Sequence, residues 1–173
     1  MTKASRQTGF TIIELMITLV VAGVLVAWAV PNMKNFVLGG RLTAQTNTLV
    51  AALQYARSEA VKRSSTVTIG PIGSTNPTTD WGTNGWRVFI DTDGDGVLDS
   101  DEVTIRQEAA LPSGTDYATV NVSTTPLKFN RDGSASAALT ATICNTAYKS
   151  TKNARTISVS AVGTIQTTES TCP

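Results

Sequence analysis

Between Phe10 and Val30 the chain reads FTIIELMITLVVAGVLVAWAV, 21 residues in which Glu14 is the only charge. No other feature narrows the fold as far. A helix of that length, at about 1.5 Å per residue, covers roughly 32 Å and can cross a hydrocarbon core of about 30 Å. Ahead of it stands a short polar leader, MTKASRQTG, which carries Lys3 and Arg6 and ends in Gly9. Basic flanks stay cytoplasmic, so the leader is expected in the cytoplasm and the residues after Val30 across the membrane. A secretory signal would have an apolar core of about 7–15 residues and a small-residue cleavage site beyond it. Here the run ends in Trp28-Ala29-Val30-Pro31. A plain anchor explains the length but not Glu14. A carboxylate inside a membrane helix costs on the order of 3 kcal/mol even on mild insertion scales, which marks it as a functional position. The simpler alternative is that Glu14 lies near the headgroups, within reach of a side chain at a helix end.

The junction Gly9-Phe10-Thr11-Ile12-Ile13-Glu14-Leu15 resembles the prepilin leader junction of type IV pilins and type II secretion pseudopilins. Gly23 and Pro31 also fall where pilin helices carry a glycine and a proline. The resemblance implies that prepilin peptidase cuts between Gly9 and Phe10 on the cytoplasmic face and N-methylates Phe10. It further implies that the Glu14 carboxylate pairs with the terminal amine of a neighbouring subunit, fixing the docking register. In lipid such a pair is favoured because each charge left alone is costly.

Beyond Pro31 a weaker helical pattern continues through Leu38, Leu42, Leu49, Leu53, Ala56 and Ala60, with Gln45 as its polar interruption. Pro31 has no N–H for the carbonyl of Ala27, and Gly39-Gly40 lowers helix propensity. A bend or partly melted stretch is therefore expected over 31–40. The helix should stop near Arg63, where Ser64-Ser65 leads into alternating Thr66-Val67-Thr68-Ile69. Its second half should lay an apolar stripe on a head domain while residues 10–30 protrude. The segment Leu53-Gln54-Tyr55-Ala56-Arg57-Ser58-Glu59-Ala60-Val61-Lys62-Arg63 resembles the helix end of the minor pilin and pseudopilin group that includes FimU, FimT and GspH. Arg57 and Glu59 themselves read as a solvated helix face.

From residue 64 onward short apolar runs alternate with Gly, Pro, Asn and Asp clusters, which predicts strands at 66–69, 86–91, 103–107, 118–122, 127–130, 139–144, 156–160 and 163–167. Gly70–Asn84 and Leu111–Asp116 read as loops. The fold class is α+β: one long N-terminal helix on an antiparallel head of one or two small sheets, as in the pilin fold that the resemblance implies. The expected organisation is leader 1–9, helix 10–63 with 10–30 in the membrane or filament core, and a β-rich head 64–173.

The sequence contains no histidine, so Ser-His-Asp and Cys-His catalysis and histidine-ligated metals are excluded. Threonine occurs 28 times and charged residues make up only 16% of the chain, which suits an exported, strand-rich surface. With no glycine-rich phosphate loop before a helix either, an enzyme is not expected.

Two constellations remain in the head. Asp91-Thr92-Asp93-Gly94-Asp95-Gly96-Val97-Leu98-Asp99-Ser100-Asp101-Glu102 fits the twelve-residue calcium-loop pattern, with Asp91, Asp93, Asp95, Val97 (through its carbonyl), Asp99 and Glu102 at the ligand positions. Its flanks read as strands, so a calcium loop in a hairpin and a metal-free acidic turn both stay open. No cofactor is required, and calcium is the one candidate ion. Cys144 and Cys172 would lie on the exported side, where disulfides form; a reactive thiol pair is the alternative, without the Cys-x-x-Cys spacing that would support it. Closing the 27 residues between them would contribute roughly 3.6 kcal/mol by loop entropy and would pin the C-terminus.

The expected function is that of a minor pilin, a structural subunit near the tip or initiating complex of a type IV pilus. It would serve filament assembly and hence twitching motility, adhesion or DNA uptake. Its partners would be other major and minor pilins, prepilin peptidase and the bacterial inner membrane, with the head in the periplasm before assembly into the filament. The alternative is a GspH-like minor pseudopilin of type II secretion. A DNA receptor is less favoured. The resemblance would place a Gly-Arg-x-Arg motif where Gly163-Thr164-Ile165-Gln166 stands, and only Lys149, Lys152 and Arg155 precede it.

Overall fold

A computed structural model describes residues 9–73, 80–112, 119–123 and 126–173, except for the side chains of Pro31 and Asn32. The leader expected at 1–9 lies outside these residues apart from Gly9, and so do parts of the two expected loops and residue 118. The chain divides into two compact units, Met1–Val37 and Leu38–Pro173.

Helix α1 (Ile12–Arg63) is assigned without a break across 31–40, so the melted stretch expected there does not form. Thr11 caps its start, its hydroxyl accepting the Glu14 N–H at 3.3 Å, and Glu14 places an acid in the first turn, where the helix dipole favours it. In the first unit every residue from Phe10 to Val30 is exposed. An 18-residue window of α1 reaches a mean hydropathy of 2.4, long and apolar enough to cross a membrane. At its far end α1 closes with Ser64 at φ 53°: the Ser64 N–H donates to Val61 O and the Ser65 N–H to Ala60 O, both at 3.3 Å. That pair of bonds is the Schellman closure, here built on serine where glycine is usual.

In the second unit follow β1 (Val67–Pro71), a short α2 (Asp80–Asn84), β2 (Trp86–Ile90), β3 (Val103–Glu108), β4 (Thr119–Val122), β5 (Leu127–Phe129), β6 (Leu139–Cys144), β7 (Ala154–Val159) and β8 (Ile165–Ser170). They form two antiparallel four-stranded sheets, ordered β3-β2-β1-β5 and β4-β6-β7-β8. All eight expected strands are present. Helix α2 was not expected: five residues with an internal glycine give no periodic signal. It forms because Trp81 buries itself beside Trp86, with ring centroids 6.3 Å apart.

The predicted stripe holds. Leu38, Leu42, Leu49, Leu53, Ala56 and Ala60 are all buried. All but Leu38 belong to one core cluster with Ile69, Val88 and Phe129 of the first sheet and Val120, Ile143 and Ile157 of the second. Gly39 serves packing: a Cβ there would lie 3.1 Å from the Tyr148 hydroxyl.

Candidate functional site

Gly9 has nothing within 4 Å of the place a Cβ would occupy, Phe10 is 83% exposed, and Glu14 is exposed one turn into α1.

The acidic loop joins β2 to β3. Strand β2 delivers Asp91 inward, where it is buried: Oδ2 accepts the Thr68 hydroxyl at 2.6 Å and Oδ1 the Gly94 N–H at 2.6 Å. Asp93 then accepts the Asp95 N–H at 3.1 Å, and Asp95 the Val97 N–H at 2.7 Å, each bond tightening the turn. Carboxylate oxygens of Asp91, Asp93 and Asp95 all lie within 4.8 Å of one another, a spacing one cation could bridge. The carboxylates of Asp99 and Glu102 do not join that cluster. Glu102 instead accepts the Thr92 N–H at 2.7 Å and the Asp99 N–H at 3.3 Å, which closes the loop through its backbone. Desolvation raises the pKa of Asp99, reinforced by Asp95, Asp93, Glu102 and Asp101. The Lys128 ammonium donates to the Gly94 carbonyl, one positive charge set against six carboxylates.

Cys144 and Cys172 form the expected disulfide, with Cα atoms 5.3 Å apart. Asn153 secures the same end: its side-chain oxygen accepts the Cys172 N–H at 2.8 Å.

The reading of Arg57 and Glu59 as solvated fails. Arg57 is half-buried and its Nε donates to the Gly133 carbonyl at 2.9 Å. Two glycine turns close over it: Gly133 and Gly163 both have φ +79°, and a Cβ at Gly163 would stand 2.0 Å from the Gly133 oxygen. Gly163 is therefore a packing requirement of this turn. Glu59 is buried and accepts Arg63 Nε at 2.6 Å, with Lys62 at 3.5 Å; these cations hold its carboxyl below the usual carboxylate range. Tyr55 carries the Arg106 guanidinium over its ring at 5.5 Å, and Arg106 in turn pairs with Glu108 at 2.6 Å. Beside Arg57 a groove of about 680 Å³ is lined by Gln54, Ser58, Val61, Lys62, Thr164 and Ile165.

Family models match at two places. Residues 4–30 match the prokaryotic N-terminal methylation motif, and residues 45–163 match the type II transport protein GspH. The second match spans more than half the chain. The chain belongs to the GspH family. Two crystal structures of the type IV minor pilin FimU from Pseudomonas aeruginosa PAO1 are similar to it, both at 27% identity. One has a TM-score of 0.56 and covers 76% of this chain and 90% of that one. The other has a TM-score of 0.54 and covers 73% and 92%. A sequence comparison with curated proteins gives no match. The long helix with two antiparallel sheets is thus the pilin fold, in a family of structural pilins and pseudopilins. That family implies processing at the N-terminus and assembly with other pilins, and the apolar helix fits a membrane-anchored, pilus-associated chain.

Proposed function

We propose that this protein is a minor pilin, assembled near the tip or initiating complex of a type IV pilus and without enzymatic activity. The observation that carries the reading is the likeness to FimU across 90% of that structure, combined with the methylation motif over residues 4–30. The minor pseudopilin of a type II secretion system shares the cleavage, helix and head, and the matching family is described as type II transport protein GspH; the FimU likeness weighs toward the pilus.

On this reading prepilin peptidase cuts between Gly9 and Phe10, leaving an α-amino group one helical turn from Glu14. The helix rests in the inner membrane with its head in the periplasm, and Glu14 pairs with the amine of a neighbour as the subunit enters the filament. Asp91, Asp93 and Asp95 would hold a calcium ion, and Asp99, Glu102 and the Val97 carbonyl are the further oxygens this loop could offer it. Calcium would supply the charge that these carboxylates lack among themselves. The test of the assembly reading is Glu14→Leu. The variant should insert and be processed, yet be missing from sheared filaments; recovery at wild-type levels would show that Glu14 is no assembly contact.

A further inference from the structure

The two ends of the Leu38–Pro173 unit carry opposite charge. Strands β6, β7 and β8 are laid along α1: the turn at Gly163 meets Arg57, while the β6–β7 loop reaches Gly39 through Tyr148. The Gly39 end is where the chain arrives from the apolar segment. There the β6–β7 loop, the start of β7 and the end of β8 bring together Lys149, Lys152, Arg155 and Glu169. Lys149 is exposed, and Lys152 is 64% exposed although it pairs with Glu169 at 2.9 Å, as Arg155 does at 3.2 Å. These groups sum to a net charge of +2. The opposite end, where the Asp91 N–H donates to Thr66 O just past the helix terminus, holds the six carboxylates of the acidic loop.

We propose that the β6–β7 loop is a basic foot that rests on anionic lipid headgroups of the membrane holding the apolar helix, with the acidic loop turned away. The inference rests on the reading of residues 10–30 as the membrane span. Gly39 stands nine positions after Val30, so even a fully extended link keeps the foot within about 31 Å of the bilayer surface. Such a tether makes docking intramolecular, and each basic side chain at an anionic surface favours the docked state about fivefold. The same foot is poorly suited to a long polyanion such as DNA, which would also meet the acidic end of the head. Against a flat membrane the two ends act together, one attracted and the other repelled.

The test is hydrogen exchange on the full chain in lipid nanodiscs, neutral phosphatidylcholine against discs with roughly one third phosphatidylglycerol. Amides of Thr146–Lys152 should exchange about fivefold or more slowly in the anionic discs. The protection should vanish at about 0.5 M salt, where screening reaches a few Å. It should also vanish in the Lys149→Gln, Lys152→Gln double variant and persist in Arg131→Gln, an exposed residue beside the Gly133 turn. Equal exchange in both discs overturns the proposal while leaving the membrane span intact. Protection by duplex DNA with none from anionic lipid overturns it in favour of nucleic acid. A chain that stays out of the discs overturns the span and the foot together.

Discussion

Arg57 reaches its main partner, the Gly133 carbonyl, 76 positions along the chain, so nothing local marks it as anything but a surface charge. The same is true of Thr68 and Asp91, 23 positions apart, and of Lys128 on Gly94, 34 apart. At this scale the sequence shows a residue's chemistry and hides its partner. Glu59 is different. Its partners Lys62 and Arg63 lie one helical turn away and could have been read as an i, i+3 and i, i+4 pair; only its burial was invisible. Two outcomes follow at these positions. Gly163→Ala forces a side chain into φ +79° and against the Gly133 oxygen, and should cost on the order of 3 kcal/mol in thermal melting. Gly94→Ala, at φ +78° but in open space, should cost about 1 kcal/mol; equal losses would mean that the Gly133–Gly163 approach carries no strain. Glu59 is held below its ordinary pKa by Arg63 and then Lys62, so its contribution is present above the ordinary carboxylate range and is lost as pH falls through its folded-state value. Melting temperature measured against pH should therefore fall less steeply on the acid side in Glu59→Gln; parallel acid limbs would remove Glu59 from the account.

Elements were the most legible scale. Period-2 runs located eight strands, and the 3.6-residue stripe named six helix positions that are all buried. The stop at Arg63 followed from the serine pair and the strand pattern after it. The same reasoning overreached in expecting melting over 31–40, because propensity counts glycine as a weakness and cannot see Tyr148 packed at Gly39. The acidic loop shows the same division. Its spacing predicted six ligands, but the hydrogen bonds from Thr92 and Asp99 turn Glu102 onto the backbone and leave three carboxylates together. If calcium draws Glu102 in, the chain in detergent should gain about 2.7 kcal/mol at free calcium 100 times its dissociation constant. Asp93→Asn and Asp95→Asn should each abolish the gain. Asp91→Ala should lower stability with or without calcium, because it also frees Thr68 and Gly94. Superimposable melts of the parent chain with chelator and with millimolar calcium would leave an acidic turn that needs no ion.

For the whole molecule, one apolar run and one junction carried most of the functional reading, while the head added the family. Processing alters the chain's overall charge: loss of Lys3 and Arg6 with the leader leaves 12 basic against 13 acidic residues, so the formal charge moves from +1 to −1. On the proposed function this protein is a matured prepilin built into a surface filament. Mass spectrometry of sheared filaments, from cells with active prepilin peptidase, tests that claim most directly. The predicted result is a chain that begins at N-methylated Phe10, present at a small fraction of the main subunit. Filaments in which the chain is absent, or in which it still carries Met1, would contradict the account.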